Sequence, residues 1–159
     1  MRKVLSLILI LPISCILLVA SEAKGQTAIN WKEAFVTVES NMQAIEGHEG
    51  HFIGIMHQRG FAFYEDGETA TVKVWLTFER SGPETKYSGY AVYNFLDDTT
   101  KVVRLKGSGD PRGKQTGEFV FKGGTGRFEG IDGGGAFQGQ GFPPHGDIHV
   151  DVNGTYSLP

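Results

Sequence analysis

Cysteine is nearly absent from this chain. Cys15 is the only one among 159 residues, and it lies inside an apolar N-terminal run from Val4 to Ala20. Without it, no residue remains to form a disulfide, act as a thiol nucleophile or bind a metal through thiolate. These chemistries are excluded for the chain beyond the run.

The same N-terminal run predicts export. Arg2 and Lys3 precede it, and the polar segment SEAKGQ, rich in small residues, follows it. This order of a basic region, an apolar core and small residues is typical of a cleavable signal peptide. We therefore predict a signal peptide at residues 1–25 and a periplasmic or secreted protein, with cleavage after Gly25 or, alternatively, after Ala23. An uncleaved membrane anchor is the competing interpretation, because the run is nearly long enough to span a bilayer.

A basic surface is also lacking. The chain has 15 Lys and Arg against 18 Asp and Glu, a net charge of −3. A mildly acidic chain with no basic stripe argues against a nucleic-acid or anionic-membrane partner. We expect no nucleic-acid partner, and no membrane association once the signal peptide is removed.

Helical periodicity is almost absent, apart from a weak helix candidate around residues 39–45. Alternation of apolar and polar residues recurs instead: residues 71–79 place Val72, Val74, Leu76 and Phe78 on one face, with Trp75 on the other. Turn sequences such as EDGE, RSGPE, DDTT and DPRGK separate these runs. The pattern predicts one all-β domain over residues 26–159, an antiparallel barrel or sandwich.

Glycine is abundant near the C-terminus, with 13 glycines from Gly107 to Gly141. The stretch FKGGTGRFEGIDGGGAFQGQG does not match a dinucleotide loop, because its last glycine gap is one residue too long and no helix can follow. It contains no Gly-Lys-Ser/Thr either. We predict a strand, a tight turn and a second strand, with glycines at sharp bends or close backbone contacts.

The segment GGTGRFEGIDGGGAF, from Gly123 to Phe137, resembles the glycine-rich strand pair of the allene oxide cyclase-like superfamily, which includes the dirigent proteins. The chain looks most like exported bacterial members without an assigned activity. The resemblance implies an eight-stranded antiparallel barrel, often a homotrimer, with a largely apolar pocket. Relatives cyclise or couple small molecules by holding them in one conformation. Dirigent proteins typically carry Ala-Arg-Gly after this Phe, whereas Ile131-Asp132-Gly133 stands here, so no activity is transferred.

If the more apolar strand faces point inward, the phenols of Tyr87 and Tyr93 and the carboxyl group of Asp132 share an apolar interior. There they can orient a small ligand through its polar end. The alternative is that the tyrosines bond to backbone carbonyls and that Asp132 caps the IDGGG turn. The predicted pocket residues are Tyr87, Tyr93, Phe95, Phe119, Phe121, Phe128 and Asp132.

Histidines offer a weak metal hypothesis. His51 and His57 share one face of a strand, and imidazole with carboxylate suits zinc or copper. Their spacing matches no established metal motif, so we expect no metal site and no cofactor, and no catalytic residue is assigned.

Three functions remain open from the sequence. The barrel binds a small apolar or phenolic molecule in its interior, or it is a cyclase or isomerase acting by containment, or it is a structural or interaction module whose barrel is filled by side chains. Cavity volume separates the last from the other two.

Overall fold

The protein folds into one closed barrel of eight antiparallel strands. The computed structural model describes residues 25–142 and 146–159, so the predicted signal peptide lies, except for Gly25, outside the described residues. Each strand pairs with its neighbours in chain order, and β1 also pairs with β8, which confirms the predicted fold. The strands are β1 (Thr27–Ala44), β2 (His51–Tyr64), β3 (Thr69–Ser81), β4 (Glu84–Phe95), β5 (Thr100–Gly109), β6 (Lys114–Gly124), β7 (Asp132–Phe142) and β8 (Asp147–Ser157).

Alternation decides which side chains fill the barrel. On β3, Val72 and Val74 are buried while Trp75 is 45% exposed on the outside, as the sequence predicts. β4 buries Ala91, Tyr93 and Phe95 in the same way. Since side chains of a strand point alternately to its two faces, one apolar face per strand supplies the core.

The helix predicted around residues 39–45 is wrong, because β1 continues to Ala44. A register shift between Thr37 and Glu39 leaves one residue unpaired, and beyond it Met42 still pairs with Gly54 of β2. Hydrogen bonds to a neighbouring strand therefore decide the conformation of a segment whose own helical preference is weak. Beyond Phe35, β1 pairs with β2 but no longer with β8.

Interior glycines make room for aromatic rings. A Cβ atom on Gly54 would lie within 2.5 Å of the Phe78 ring, and one on Gly117 within 2.3 Å of the Phe137 ring. The glycine-rich stretch forms β6, a 3₁₀ turn at Gly126–Phe128 and β7, which confirms the predicted strand, turn and strand. Gly126 and Gly130 have φ values of +58° and +70°, a conformation that favours glycine.

The two ends of the barrel differ. At one end, which we call the closed end, the turns after β2, β4 and β6 meet, and Phe128 of the 3₁₀ turn is buried beneath them. Arg127 stacks on the Phe95 and Phe128 rings and forms ion pairs with Glu68 and Asp97. These contacts tie the three turns together over that end. The opposite end, which we call the open end, begins where Thr37, Gln58 and Leu76 line the interior. In the described residues, which omit 143–145 at this end, a wide space remains there.

Apolar side chains also stand on the outer surface. Ile53, Ile55, Trp75 and Tyr90 on β2, β3 and β4 are each 45–54% exposed, and Trp75 pairs directly with Tyr90. We call these four residues the outer patch. Grouped exposed apolar residues of this kind mark interaction surfaces.

Across the part of the chain that the structure describes, there is no helix with the length and apolar character needed to cross a membrane.

The glycine pattern makes a prediction about stability. A Cβ atom at Gly107 would lie 2.6 Å from the Thr116 carbonyl oxygen and 2.8 Å from the Tyr87 ring, whereas at Gly109 its nearest neighbour would be Gln115 at 3.6 Å. We expect Gly107→Ala to lower the free energy of unfolding by about 1–3 kcal/mol, as overpacking does. Gly109→Ala, on the same strand and face, serves as the control and should change it little. Urea denaturation measures both, and equal effects would contradict this account of the glycines.

The outer patch makes a prediction about assembly. We expect copies of the mature chain to associate through the outer patch, because burying four large apolar side chains favours association. Ile55→Lys should shift native mass spectra toward monomer. Val120→Lys, on the outer face of β6 at the same 45% exposure as Trp75, should not. A wild-type chain that is monomeric at every concentration tested would contradict the prediction.

Candidate functional site

A lysine lies at the centre of the closed end. Lys101 is 0% exposed, and its Nζ lies 4.4 Å from the ring centroid of Trp31 and 4.7 Å from those of Tyr64 and Tyr93. The rings of Phe95, Phe121 and Phe128 surround it at 5.5–5.7 Å. We call these six rings the aromatic cage. Nζ also donates a hydrogen bond of 2.7 Å to the Tyr64 hydroxyl.

Strand alternation explains why this lysine points inward. On β5, Lys101 shares its face with Val103, which is 1% exposed, while Arg104 points to solvent. Ring faces carry negative charge and attract a nearby cation, which offsets part of the cost of removing the ammonium from water. The aromatic cage therefore reduces the free-energy cost of burying the lysine.

Glu33 is the acid closest to this arrangement in the interior. It is 5% exposed between Trp31 and Phe35 on the inner face of β1. Its Oε1 accepts hydrogen bonds of 2.6 Å from both the Trp31 indole N–H and the Tyr93 hydroxyl. Trp31 and Tyr93 also belong to the aromatic cage, so the acid and the lysine are held by the same two side chains.

Burial perturbs both ionisable groups. Desolvation raises the pKa of the Glu33 carboxyl, and the hydrogen bonds from Tyr93 and Trp31 and the charge of Lys101 oppose that rise. Desolvation lowers the pKa of Lys101 from 10.5 to about 7; the charges of Glu33 and Glu68 oppose that change and Arg127 adds to it. Each charge therefore stabilises the other.

A cavity lies directly above Glu33, on the side toward the open end. This deep cavity has a volume of about 50 Å³, and it widens into a mouth of about 560 Å³ at the open end. Five residues line both spaces: Gln58, Leu76, Tyr87, Gln115 and Ile148. The interior of the open half is thus a funnel that narrows toward Glu33.

The walls of the deep cavity are mainly aliphatic and aromatic. Polar groups occur along the path: the Tyr87 hydroxyl donates to Gln115 Oε1 at 3.1 Å, and Gln58 donates to Thr37 Oγ1 at 3.4 Å. Burial raises the pKa of Tyr87, so its hydroxyl stays protonated at neutral pH. The site can hold an apolar molecule and offers hydrogen bonds near its entrance and at its floor.

The predicted pocket residues separate into three groups. Tyr87, Tyr93 and Phe119 line the deep cavity. Phe95, Phe121 and Phe128 belong instead to the aromatic cage. The tyrosines find side-chain partners, Gln115 and Glu33, rather than the backbone carbonyls that the alternative interpretation named.

The placement of Asp132 in the interior is wrong. Asp132 is exposed at the first position of β7. The prediction assumed a regular strand between Phe128 and Asp132, but the 3₁₀ turn and Gly130, with φ +70°, interrupt it. A change of backbone conformation shifts the phase, so the two side chains no longer share a face.

The two histidines of the metal hypothesis, His51 and His57, lie on the outer face of β2. His51 contacts Glu79 at 2.7 Å, and the His57 ring stacks on Trp75 with centroids 5.2 Å apart. In residues 25–142 and 146–159, no three His, Cys, Asp or Glu side chains are placed to hold a metal ion together.

Sequence reasoning missed Lys101, Glu33, Trp31, Tyr64 and Gln58. A signal for two of them was present: in NWKEAF and KVVRLK, a charged residue occupies the apolar phase of an alternating strand. An unpaired charge in that phase is rare in a core, so two of them in one barrel predict a buried pair.

Comparison with solved structures finds proteins of similar fold. The chain is similar in structure to the pterocarpan synthase dirigent protein GePTS1, at 14% sequence identity and a TM-score of 0.49, over 85% of this chain and 89% of that one. No protein-family model matches the sequence, and no curated protein does. The class of this protein is given by its own topology, an eight-stranded antiparallel closed barrel.

The buried pair makes a prediction about pH. Between the folded pKa of Lys101, about 7, and its ordinary value of 10.5, the unfolded chain binds more protons than the folded chain, so stability contributed by this group rises with pH. We expect the free energy of unfolding of the wild type, relative to that of Lys101→Met, to rise by about 1–3 kcal/mol from pH 7 to 9.5. Lys106→Met removes an exposed lysine of the same strand and provides the control. Parallel curves for wild type and Lys101→Met would contradict the prediction.

Proposed function

We propose that the protein binds a small apolar or phenolic molecule in the open half of its barrel, with the polar end of that molecule toward Glu33. The main support for this proposal is the funnel, in which a mouth of about 560 Å³ leads into a deep cavity with a carboxyl group at its floor. Concave apolar sites with a few convergent polar groups are where small molecules usually bind.

The dimensions favour an elongated ligand. Ligand sites usually measure about 300–1,000 Å³, so the deep cavity, at about 50 Å³, holds only the narrow end of a molecule. The mouth lies within that range and takes the larger part. A slender polar end directed inward and an apolar body in the mouth fit this shape.

The closed half supports a structural role for part of the barrel. The six rings around Lys101 fill it, as the filled-barrel hypothesis supposes for the whole interior. In the open half, by contrast, the side chains do not fill the interior, and the funnel remains between them. We therefore favour ligand binding over a purely structural module.

An enzyme is the second candidate, and the Glu33–Tyr93 contact favours it. A carboxyl group hydrogen bonded to a phenol at the floor of an apolar cavity can give or take a proton from a bound molecule. A cyclase or isomerase that acts by containment needs such a group and a shaped cavity. Export to the periplasm or the medium also remains a proposal, supported by the composition of residues 1–25.

Blocking the funnel tests the proposed function. Leu76 lies where the mouth meets the deep cavity, so Leu76→Trp should fill the junction. We expect wild-type protein to bind the neutral fluorescent probe 1-aminoanthracene and Leu76→Trp to bind it at least roughly tenfold more weakly, since a blocked site loses most of its apolar contact. Leu96→Trp changes a side chain that is 94% exposed in a closed-end turn and should bind as the wild type does.

Either of two outcomes would overturn the proposal. One is no probe binding by a folded wild-type protein, and the other is equal binding by wild type and a folded Leu76→Trp variant. Native mass spectrometry of the mature chain from its own host adds an independent test, because a retained small molecule would give the mass of a natural ligand.

A further inference from the structure

Lys101 cannot touch a molecule in the funnel. It does not line the deep cavity, and Glu33, Tyr93 and Phe119 lie at the cavity wall in its place. Its one side-chain hydrogen bond goes to Tyr64, within the aromatic cage. A role for Lys101 in binding must therefore act through another residue.

Glu33 is the residue through which it can act. Among the side chains that line the deep cavity, Glu33 is the only carboxylic acid, and none is Lys, Arg or His. Both of its side-chain hydrogen bonds end on Oε1, which leaves Oε2 for a ligand. The charge state of this carboxyl group decides what Oε2 can do: a carboxylate only accepts hydrogen bonds, whereas a carboxylic acid also donates one.

The ionised form of Glu33 is favoured only when its hydrogen bonds and the nearby ammonium group act together against the cost of burial. Burial opposite Val150 of β8, in a cavity that Phe35 and Val152 also line, opposes the charge. Two short hydrogen bonds from Trp31 and Tyr93 favour it, and so does the nearby ammonium group. Removing the ammonium leaves a buried charge without its counter-charge, which is strongly unfavourable.

We propose that Lys101 is a specificity-determining residue that acts at a distance: its caged ammonium keeps Glu33 a carboxylate at the cavity floor, so that the funnel selects neutral apolar molecules ending in a hydroxyl group. This inference rests on the proposed function. A hydroxyl donates to Oε2, whereas a ketone of the same shape cannot. A ligand carboxylate meets the Glu33 charge directly, and a ligand ammonium adds an uncompensated positive charge to a pair that is already balanced.

Three ligands with the same number of carbons test the selectivity: 2-octanol, 2-octanone and octanoate, each displacing 1-aminoanthracene. At pH 6, where Lys101 is mostly protonated, we expect wild-type protein to bind 2-octanol roughly 10- to 100-fold more tightly than 2-octanone, the usual range for a hydrogen bond to a charged group. Octanoate should bind more weakly than 2-octanol as well. If the probe binds and 2-octanol and 2-octanone displace it equally, the selectivity is overturned while the proposed function stands. If the probe does not bind, the proposed function fails first.

Lys101→Met tests the role of the lysine itself. Glu33 should then become protonated and donate to a ketone, so the preference for 2-octanol should fall to within about threefold. Lys106→Met, outward on the same strand, should keep the wild-type preference. A folded Lys101→Met variant with the full wild-type preference would overturn the proposal.

A ligand-free measurement covers the case in which Lys101→Met does not fold. Carbon-13 NMR of the glutamate side chains reports whether Glu33 is ionised, with Glu33→Gln identifying its signal. We expect an ionised carboxylate in the wild type at pH 6, below the folded pKa of Lys101 of about 7, where the lysine carries its charge. A protonated Glu33 under those conditions would overturn the proposal whatever the variants do.

Discussion

The charge buried at Lys101 is the constraint on which the interior depends. An ammonium removed from water needs compensation, and the closed end supplies it from six aromatic rings, the Tyr64 hydroxyl and the carboxyl group of Glu33. Trp31 and Tyr93 take part twice, as faces of the aromatic cage and as hydrogen-bond donors to Glu33. One buried lysine thereby connects the aromatic packing of the closed half with the carboxyl group at the floor of the open half.

Space inside the barrel is divided by the same side chains. An eight-stranded barrel has an interior that side chains can just fill, and the aromatic cage uses that capacity at the closed end. Toward the open end, glycines at positions 54, 107 and 117 admit the rings of Phe78, Tyr87 and Phe137 against the wall. A Cβ atom at any of these three positions would collide with the neighbouring ring, so the glycines let these rings pack against the barrel wall.

Individual residues separate what the sequence could predict about the site from what it could not. Alternation in β3 and β4 placed Val72, Tyr87 and Tyr93 inward, because their partners on both sides are regular strands. The same logic failed for Asp132, where a 3₁₀ turn and a left-handed glycine break the phase. Lys101 and Glu33 were overlooked although each lies in the regular apolar phase of its strand. A charged residue in such a phase can be interpreted only together with its partner, and here the two are 68 positions apart in the chain.

The sequence by itself determined that the chain is one antiparallel all-β domain and which face of most runs is apolar, since these follow from local alternation and from the turn residues between the runs. The number of strands, eight, was only what the family resemblance implied. Tertiary structure decided that the barrel is filled at one end and open at the other, and that a lysine and a glutamate from β5 and β1 are held by shared aromatic side chains. Closure of the barrel places β1 and β5 on opposite sides of one interior. Their side chains approach each other only once the last strand pairs with the first, so no local sequence pattern encodes the distance between them.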